Sequence, residues 1–493
     1  MGYILSIDQG TTGTTAALID SETLEFKGKV NREFSQIFPK PGLVEHDLNE
    51  IWSSVASTVT EVLTNHRASG KDIKCIGITN QRETICSFNK SGTPLHNAIV
   101  WQDRRTHEFC KSVDLKKREE IRIATGLPVD PYFSGTKIKW LIENSEEIKN
   151  HINKNDCLFG TIDTFLVYKL SSGEAHVTES SNASRTLLYN IKDDRWDNEL
   201  LSFFKVPLET LPKIQSSFGH FGETKGLSFL PDGIPITGIL GDQQSALFGQ
   251  AGVEKGMSKC TYGTGAFYLV NTGHECVYSN NGLLTTVAYK ENNKITYALE
   301  GSCYIAGAAV QWLRDNLGVI TASSQVETLA KQTDHLKMKN VFFLPFFTGL
   351  GSPYWIGNSQ AAITGITRDT GKAEIARACL EGICLSINDL LESASLDSGL
   401  PLTEMRVDGG AVINNFLMEL QASFSELKII RPSVIETTAY GAALSAAVGL
   451  GIYSKADIKN KWKVNKEFKP SKDEYFDIKK TEWKRMIKKL YLD

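Results

Sequence analysis

Two glycine- and threonine-rich stretches have the residue types that bind phosphate. The first runs from Asp8 to Gly13 and reads DQGTTG, and the second runs from Tyr262 to Gly265 and reads YGTG. Because glycine leaves backbone N–H groups open to an anion and threonine adds a hydroxyl, each stretch predicts a phosphate cradle. A plain hairpin turn uses the same residues and is the alternative for either stretch alone. Two such stretches facing across a cleft would hold a polyphosphate from both sides.

Asp8 and Asp242 are the carboxylates that this chemistry would use. Asp8 ends an apolar run, and Mg²⁺ prefers carboxylate oxygen while keeping several waters, so Asp8 is the predicted magnesium residue. Asp242 follows the apolar run Ile234 to Leu240, in the stretch GDQQ. A carboxylate there is suited to accept the proton of an attacking hydroxyl, which Gln243 would orient. A turn or helix-cap carboxylate is the alternative for Asp242.

Charged and aromatic side chains elsewhere have the character of a pocket for a small polyol. Arg82 and Glu83 are adjacent and oppositely charged, so they offer both donors and acceptors to vicinal hydroxyl groups. Trp101, Tyr132 and Phe267 would supply apolar walls for an uncharged carbon skeleton. Taken singly, the charged pair is typical of a solvated surface and the aromatic residues of a core. Their combination with the phosphate stretches predicts the pocket.

A third glycine cluster, from Val407 to Ala411, precedes the helical pattern Asn414 to Ser423. A loop of this kind could admit a nucleotide to a helix N-terminus, and an ordinary strand-to-helix loop is the alternative. The sequence has neither G-x-x-x-x-G-K-[ST] nor a G-x-G-x-x-G motif after a strand, which excludes the two commonest nucleotide fingerprints. A bound nucleotide would need another phosphate-binding design.

These residues require hairpins and alternating strands and helices to position them. Tyr3 to Asp8 and Thr15 to Asp20 read as a hairpin with the first phosphate stretch at its tip. Met257 to Thr261 and Ala266 to Val270 repeat that pattern around the second stretch. Strand-like runs alternate with helical patterns such as Leu48 to Asn65, and this alternation predicts mixed α/β layers.

Length and composition predict two domains. At 493 residues the chain exceeds the roughly 250–300 residues at which one hydrophobic core stops growing. We place the boundary near Gly249, between domains 1–249 and 250–493, the second of which ends in a lysine-rich helix over Tyr475 to Leu490.

Charge and hydropathy exclude several classes of partner. The net charge of −3 disfavours a nucleic-acid partner. Neither an export signal nor a membrane-spanning stretch is visible, so we expect a cytoplasmic protein without membrane insertion. The nine cysteines lack paired spacing and fit reduced thiols.

The motifs together resemble those of the glycerol kinases, which belong to the FGGY carbohydrate kinases of the actin-like ATPase superfamily. The matching stretches are Asp8–Thr12, Gly77–Thr84, Trp101–Gln102, Asp130–Ser134, Asn182–Thr186, Gly241–Gln244, Thr348–Gly351, Pro353–Trp355 and Gly441–Ala443. They follow one another in order along nearly the whole chain. The resemblance implies two ribonuclease H-like α/β domains with a cleft between them.

The resemblance also implies a reaction, the ATP-dependent phosphorylation of glycerol to sn-glycerol 3-phosphate in glycerol catabolism, with Asp242 as general base and Mg²⁺ held through water at Asp8. Glycerol would contact Arg82, Glu83, Trp101, Tyr132, Asp242, Gln243 and Phe267. ATP would contact Thr11, Thr12, Gly13, Thr264, Gly307, Gln311, Gly410 and Asn414. Members of the family often form homodimers or homotetramers, and the sequence is compatible with either.

The chain departs from the family's pattern in several places. The first motif commonly continues with a serine pair and an arginine, where this chain has Gly13, Thr14 and Thr15, so a phosphate-facing cation is missing. Lys225 to Leu230 lacks the arginine found in members that fructose 1,6-bisphosphate inhibits. His220 does not clearly align with the histidine that is phosphorylated in others. Neither form of regulation is expected.

Two other functions stay open at this level. A kinase of a pentulose or another sugar would share the nucleotide motifs and differ in the pocket, and the stretch Gln81 to Thr84 with Trp101 favours glycerol. A non-catalytic actin-like ATP-binding protein would bind the nucleotide without transferring phosphate. The presence of Asp242 speaks against this second alternative.

Overall fold

The computed structural model describes residues 2–492. Its strands, in chain order, are β1 (Tyr3–Gln9), β2 (Gly13–Asp20), β3 (Phe26–Glu33), β4 (Glu45–His46), β5 (Ile73–Asn80), β6 (Ile85–Phe88), β7 (Pro94–Ile99), β8 (Leu158–Thr161), β9 (Val177–Glu179), β10 (Tyr189–Asn190), β11 (Arg195–Trp196), β12 (Lys213–Gln215), β13 (Phe218–Glu223), β14 (Pro235–Gly241), β15 (Ser258–Tyr262), β16 (Ala266–Gly273), β17 (Leu284–Glu291), β18 (Lys294–Cys303), β19 (Phe342–Leu344), β20 (Ala362–Thr364), β21 (Glu404–Asp408), β22 (Lys428–Pro432) and β23 (Val464–Phe468).

The α-helices are α1 (Leu48–Asn65), α2 (His107–Ser112), α3 (Leu115–Thr125), α4 (Ser134–Asn144), α5 (Glu146–Asn153), α6 (Ile162–Leu170), α7 (Ser180–Ala183), α8 (Asn198–Phe204), α9 (Asp242–Gly249), α10 (Gly307–Asp315), α11 (Gln325–Ala330), α12 (His335–Met338), α13 (Lys372–Ser398), α14 (Asn415–Ser425), α15 (Thr437–Gly449), α16 (Lys455–Lys461) and α17 (Glu474–Ile487). Single turns of 3₁₀ helix lie at Gly70–Asp72, Leu208–Thr210 and Gly410–Ile413, and a π-helical turn lies at Lys488–Leu492. Within residues 2–492, no helix has both the length and the apolar character needed to cross a membrane.

The first half of the chain is built on a sheet with the strand order β13-β14-β5-β1-β2-β3. β1 and β2 form an antiparallel hairpin in which Asp8 lies opposite Thr15. β5 runs parallel to β1, and β14 runs parallel to β5. Ile4, Leu5 and Ile7 of β1 are fully buried, because both faces of this central strand are covered by other elements.

The second half repeats this plan in a sheet with the order β17-β18-β16-β15-β21-β22-β23. β15 and β16 form the antiparallel hairpin, with Thr261 opposite Phe267, and β21 and β22 follow in parallel. The prediction of two related α/β halves, each carrying a Gly/Thr hairpin, is confirmed. The hairpin tips lie at Gly10–Thr12 and Gly263–Gly265.

A smaller sheet has the order β4-β7-β6-β8, and two of the predicted pocket residues lie on loops beyond it. Trp101 follows the end of β7, and Tyr132 lies two residues before α4. Glu83, between β5 and β6, has a φ of +61°, a backbone conformation that non-glycine residues seldom adopt. This turn places Arg82 and Glu83 next to each other at the end of β5.

The helices α9 and α15 join the two halves. α15 follows β22 of the second sheet but packs against α9 and against strands β1, β5 and β14 of the first sheet. Ser6 Oγ donates to the backbone oxygen of Ala439 over 2.6 Å. α9 and α15 approach so closely that a Cβ atom on Gly441 would lie 1.8 Å from the backbone oxygen of Ser245. An apolar cluster that includes Ile4 and Leu269 therefore extends from one sheet to the other.

Candidate active site

Asp242 and Arg82 lie at the same edge of the first sheet. β14 ends at Gly241 and pairs there with Asn80, the last residue of β5, so the residues that follow both strands emerge side by side. Asp242 begins α9, its side chain is 29% exposed, and its Oδ1 lies 2.9 Å from Arg82 Nε. The same oxygen accepts the backbone N–H of Gln243 over 2.7 Å. The carboxylate is thus held in place and open to a ligand.

Arg82 and Glu83 do not pair tightly with each other, because each has another partner. Arg82 Nε and Glu83 Oε1 are 4.0 Å apart. Arg82 instead donates from Nη1 and Nη2 to the two carboxylate oxygens of Glu300 over 2.5 and 2.8 Å. Arg185 donates from Nε to Glu83 Oε1 over 2.5 Å and from Nη2 to Glu300 Oε1 over 3.2 Å.

This cluster brings opposite charges together in a buried place. All four side chains are at most 2% exposed. Burial alone would raise the pKa of Glu300, but Arg185 and Arg82 bring it down to about 2. The pKa of Glu83 is raised by burial, and Arg185 and Arg82 offset part of that rise. Neutralisation within the cluster is what makes burial of these charges tolerable.

Trp101 and Tyr132, which were predicted to form an apolar wall, lie in contact with each other. Their rings meet edge to face, with centroids 5.4 Å apart and planes at 90°. The indole Nε1 of Trp101 donates to Thr11 Oγ1 over 2.9 Å, so the wall is attached to the first phosphate hairpin. The guanidinium of Arg185 lies 5.6 Å from the Tyr132 ring. The charged cluster and the wall therefore adjoin.

Phe267 lies across the cleft, on the second sheet. Residues directly opposite in a sheet share a face, and side chains alternate along each strand. Leu269 lies opposite both Lys259 and Glu300, and Phe267 is two residues from Leu269. The half-buried Phe267 therefore shares the face that carries Lys259 and Glu300. Lys259 is fully buried, and its Nζ donates to Gln243 Oε1 over 2.5 Å and to Thr261 Oγ1 over 2.8 Å.

Asp8 lies close enough to Asp242 for their charges to interact. Burial, Asp242 and Glu436 raise the pKa of Asp8 to about 7, while Lys29 lowers it. A carboxylate with excess negative charge around it suits a divalent cation. Among residues 2–492 no group of three or more His, Cys, Asp or Glu side chains is arranged as a metal site. Asp8 alone would fit an ion such as Mg²⁺, which keeps several of its waters and needs few protein ligands.

In each hairpin tip a glycine N–H donates to the backbone oxygen of a glycine further along the tip. Gly10 N donates to Gly13 O over 2.9 Å, and Gly263 N donates to Gly265 O over 2.9 Å. Gly307, the first residue of α10, donates its backbone N–H to Gly263 O over 2.9 Å. The second hairpin therefore meets a helix N-terminus, where backbone N–H groups favour an anion.

Behind the second hairpin lies a cavity of about 390 Å³. All five residues of the second half that were predicted to contact the nucleotide line it: Thr264, Gly307, Gln311, Gly410 and Asn414. Leu380 and Leu417 supply apolar surface. Thr11, Thr12 and Gly13 are absent from this lining and lie in the first hairpin, where Thr12 is exposed. The structure thus brings the predicted nucleotide residues to two places, one in each half.

The surroundings of Thr15 show what lies where an arginine is usual. Asn31 Nδ2 donates to Thr15 Oγ1 over 2.8 Å. Two residues along β3, Lys29 Nζ pairs with Glu436 at the start of α15 over 2.5 Å. Lys29 is the cation whose charge acts on Asp8. A lysine paired with a carboxylate therefore lies within electrostatic range of Asp8.

Sequence reasoning gave no role to Arg185, Gln244, Lys259 or Glu300. Arg185 lay within a recognised motif, which was the only signal for it. A buried lysine or glutamate looks like any surface residue in a sequence, because its burial depends on strands that pair far along the chain. The alternation of side chains along β15 and β18 would have indicated which face of the sheet Lys259 and Glu300 occupy. It would not have indicated what they contact.

Comparison with known proteins shows which family this chain resembles. Residues 3–249 match the N-terminal domain of the FGGY family of carbohydrate kinases, and residues 258–450 match its C-terminal domain. A glycerol kinase of Staphylococcus haemolyticus is 49% identical over 475 residues, which cover 96% of this chain and 95% of that protein.

Solved structures share the fold, among them a glycerol kinase and a xylulose kinase. Plasmodium falciparum glycerol kinase with ADP has a TM-score of 0.91 at 36% identity, covering 100% of this chain and 99% of that one. A ligand-bound xylulose kinase from Lactobacillus acidophilus has a TM-score of 0.87 at 21% identity, covering 99% and 98%. At that lower identity the likeness shows the fold alone.

Proposed function

This chain belongs to the FGGY family of carbohydrate kinases, and from that premise we propose that it transfers the γ-phosphoryl group of ATP to glycerol, forming sn-glycerol 3-phosphate. The observation that carries the proposal is the contact of Asp242 with Arg82 beside the Trp101–Tyr132 wall. That arrangement offers a carboxylate, a donor group and an apolar surface to a three-carbon polyol. The identity of 49% with a glycerol kinase over nearly the whole chain supports the same substrate.

In the proposed mechanism Asp242 is the general base. Glycerol's carbon skeleton lies against Trp101 and Tyr132, with Phe267 facing it from the second half. Arg82 and Glu83 bind its hydroxyl groups and bring the terminal one to the carboxylate of Asp242. That hydroxyl passes its proton to Asp242 as its oxygen forms a bond to the γ-phosphorus, and the bond from that phosphorus to the β,γ-bridging oxygen breaks, releasing ADP.

Gln243 and the two hairpins position the reacting groups. Lys259 holds the side-chain oxygen of Gln243, which leaves the amide N–H₂ to orient the attacking hydroxyl. The nucleotide occupies the cavity behind Thr264, and its phosphates lie between that hairpin and Thr11, Thr12 and Gly13 of the first. Positioning of this kind is the main source of rate in phosphoryl transfer, because the protein has little covalent chemistry to do.

Asp8 is the residue proposed to hold Mg²⁺ through water. When bound, Mg²⁺ would neutralise charge on the phosphate oxygens. Asp8 itself is suited to this because Asp242 and Glu436 lie close enough to disfavour an uncompensated negative charge there. The chain's own part is to place that carboxylate at the end of β1, beside the first hairpin.

We also propose where the two domains divide, where the protein acts and how it assembles. The domain boundary falls near Gly249, at the end of α9. The protein acts in the cytoplasm, where ATP is abundant, and it binds no nucleic acid. It assembles as a homodimer or a homotetramer, as its family often does, and light scattering of the purified protein would measure which.

A panel of acceptors tests the proposed reaction. Purified protein with Mg-ATP is given glycerol, dihydroxyacetone, xylulose or gluconate, and ADP release is measured. We expect the largest kcat/KM with glycerol. Preference for xylulose or another sugar would support the related sugar kinase instead, and the absence of acceptor-dependent ADP release would support a non-catalytic ATP-binding protein.

A further inference from the structure

Buried ion pairs of alternating charge link the polyol pocket to the second half of the chain. They run from Glu83 to Arg185, from Arg185 to Glu300, from Glu300 to Arg82, and from Arg82 to Asp242. Glu83, Arg82 and Asp242 are groups already placed in the pocket. Arg185 and Glu300 are the two members to which the mechanism above assigns nothing.

Glu300 decides which edge of Arg82 faces the base. A guanidinium presents its donors in a rigid planar fork. The carboxylate of Glu300 takes Nη1 and Nη2 of Arg82 over 2.5 and 2.8 Å, and Gln244 Oε1 accepts from Nη1 over 3.2 Å. The remaining Nε edge is the one that lies 2.9 Å from Asp242 Oδ1. Without Glu300, the guanidinium would be free to turn.

Arg185 orients the carboxylate of Glu83 in the same way. Its Nε donates to Oε1 of Glu83 over 2.5 Å, and the nearest atom of Arg82 also approaches Oε1, at 4.0 Å. Since both cations lie on the Oε1 side, Oε2 is the oxygen left to accept a substrate hydroxyl. Arg185 can reach Glu83 and Glu300 together because its Nε and Nη2 point to different partners.

Like Phe267, Glu300 is a contribution of the second half to a pocket formed mainly by the first. It lies on β18, whereas Arg82 follows β5 and Arg185 follows α7. The geometry of Arg82 therefore depends on the position of the second sheet. This dependence distinguishes Glu300 from a carboxylate that only stabilises its own domain.

We propose that Arg185 and Glu300 are positioning residues of the polyol site, with Glu300 aligning Arg82 and Arg185 aligning Glu83. This inference rests on the proposed function, since it assumes that Arg82 and Glu83 bind glycerol. Loss of either residue leaves the nucleotide cavity intact, because the residues lining that cavity lie outside the ion-pair chain. We therefore expect such a loss to weaken the binding of glycerol and to leave the binding of ATP unchanged.

The test separates KM for glycerol from KM for ATP in the full-length enzyme. Glu300→Gln keeps the shape of the side chain and removes its charge, and we expect KM for glycerol to rise by about 10–100-fold while KM for ATP changes less than about twofold. Arg185→Lys keeps the charge but cannot reach both carboxylates, and we expect a rise in the same direction. Glu300→Asp, which keeps the charge, should recover part of the loss.

Glu381→Gln is the matched control. Glu381 is a buried carboxylate that accepts from Arg377 Nε over 2.9 Å, away from the pocket on α13. We expect this variant to lower the thermal midpoint without raising KM for glycerol. If Glu300→Gln does not fold, Glu300→Asp and Arg185→Lys carry the comparison, with glycerol binding measured by calorimetry in each.

The outcomes are distinct. An unchanged KM for glycerol in Glu300→Gln and Arg185→Lys, with the wild type active on glycerol, would overturn the inference. An equal rise in KM for glycerol and in KM for ATP would also overturn the inference, because that result would indicate a general loss of structure. A wild type that releases no ADP with glycerol would instead overturn the proposed function.

Discussion

Arg82 Nε lies 2.9 Å from Oδ1 of Asp242, although 160 positions separate the two residues in the sequence. The parallel pairing of β5 with β14 brings their ends together. The contact joins the group proposed to bind substrate to the group proposed to take its proton. A change in this one contact would therefore affect both substrate binding and proton transfer.

Replacing Asp242 with Asn removes the proton acceptor. Because the amide keeps the size and can keep a contact to Arg82, we expect kcat to fall by about 10²–10⁴-fold with little change in nucleotide binding. ADP release and calorimetric titration with ADP measure the two quantities. Asp369→Asn, at an exposed position, is the control. Near-normal turnover in Asp242→Asn would rule out Asp242 as the base.

The bond from Trp101 Nε1 to Thr11 Oγ1 predicts coupling between the aromatic wall and the phosphate hairpin. Thr11→Val and Trp101→Phe each remove one partner, and we expect each to lower kcat/KM for glycerol by about 2–10-fold, as a hydrogen bond of about 0.5–1.5 kcal/mol implies. The fold-loss of kcat/KM in the double variant should be smaller than the product of the fold-losses in the two single variants. Fully additive losses would show that the bond does not couple them.

The pKa of Asp8, raised to about 7 from its usual 3.8, predicts a pH dependence of stability without Mg²⁺. The folded state holds this proton more tightly than the unfolded state does, so stability falls as pH rises from about 4 to about 7. Asp8→Asn should remove this loss, which we expect to be on the order of 1–3 kcal/mol. Thermal midpoints at pH 5 and pH 8 without Mg²⁺ check it. Identical pH dependence in both proteins would contradict the prediction.

The close approach of α9 and α15 predicts that Gly441→Ala destabilises the protein. A Cβ atom there would lie 1.8 Å from the backbone oxygen of Ser245. The helices must separate to admit it, and we expect a loss of about 1–3 kcal/mol of unfolding free energy, although alanine favours a helix. Gly357→Ala, where nothing lies within 4 Å of the added atom, is the control. Equal denaturation midpoints in both variants would argue against a tight crossing.

Local features of the site were predictable because neighbouring residues determine them. Helix α1 begins and ends at the predicted residues, Leu48 and Asn65, with the side chain of Asp47 accepting the backbone N–H of Asn49 at its start. Both hairpins follow from apolar runs on either side of a Gly/Thr tip. The residues around the cavity were predicted instead from the resemblance to the glycerol kinases, by matching positions along the chain.

Long-range partners were not predictable. Arg82 and Glu300 are separated by 218 positions, and only the pairing of β18 with β16 places Glu300 on the cleft face. Sequence reasoning coupled Arg82 to Glu83, its neighbour, whereas the structure gives each of them a different main partner. Adjacent residues at a turn with positive φ point in different directions, and their sequence proximity does not reveal this.

The packing of α15 on the first sheet has a consequence for how the protein is made. Residues 437–449 are synthesised long after β1, β5 and β14, the strands that they cover. Until then one apolar face of the nascent first half is bare and prone to aggregation. A fragment ending at Gly249 would keep that face bare permanently, so the first half depends on a helix of the second half for its cover.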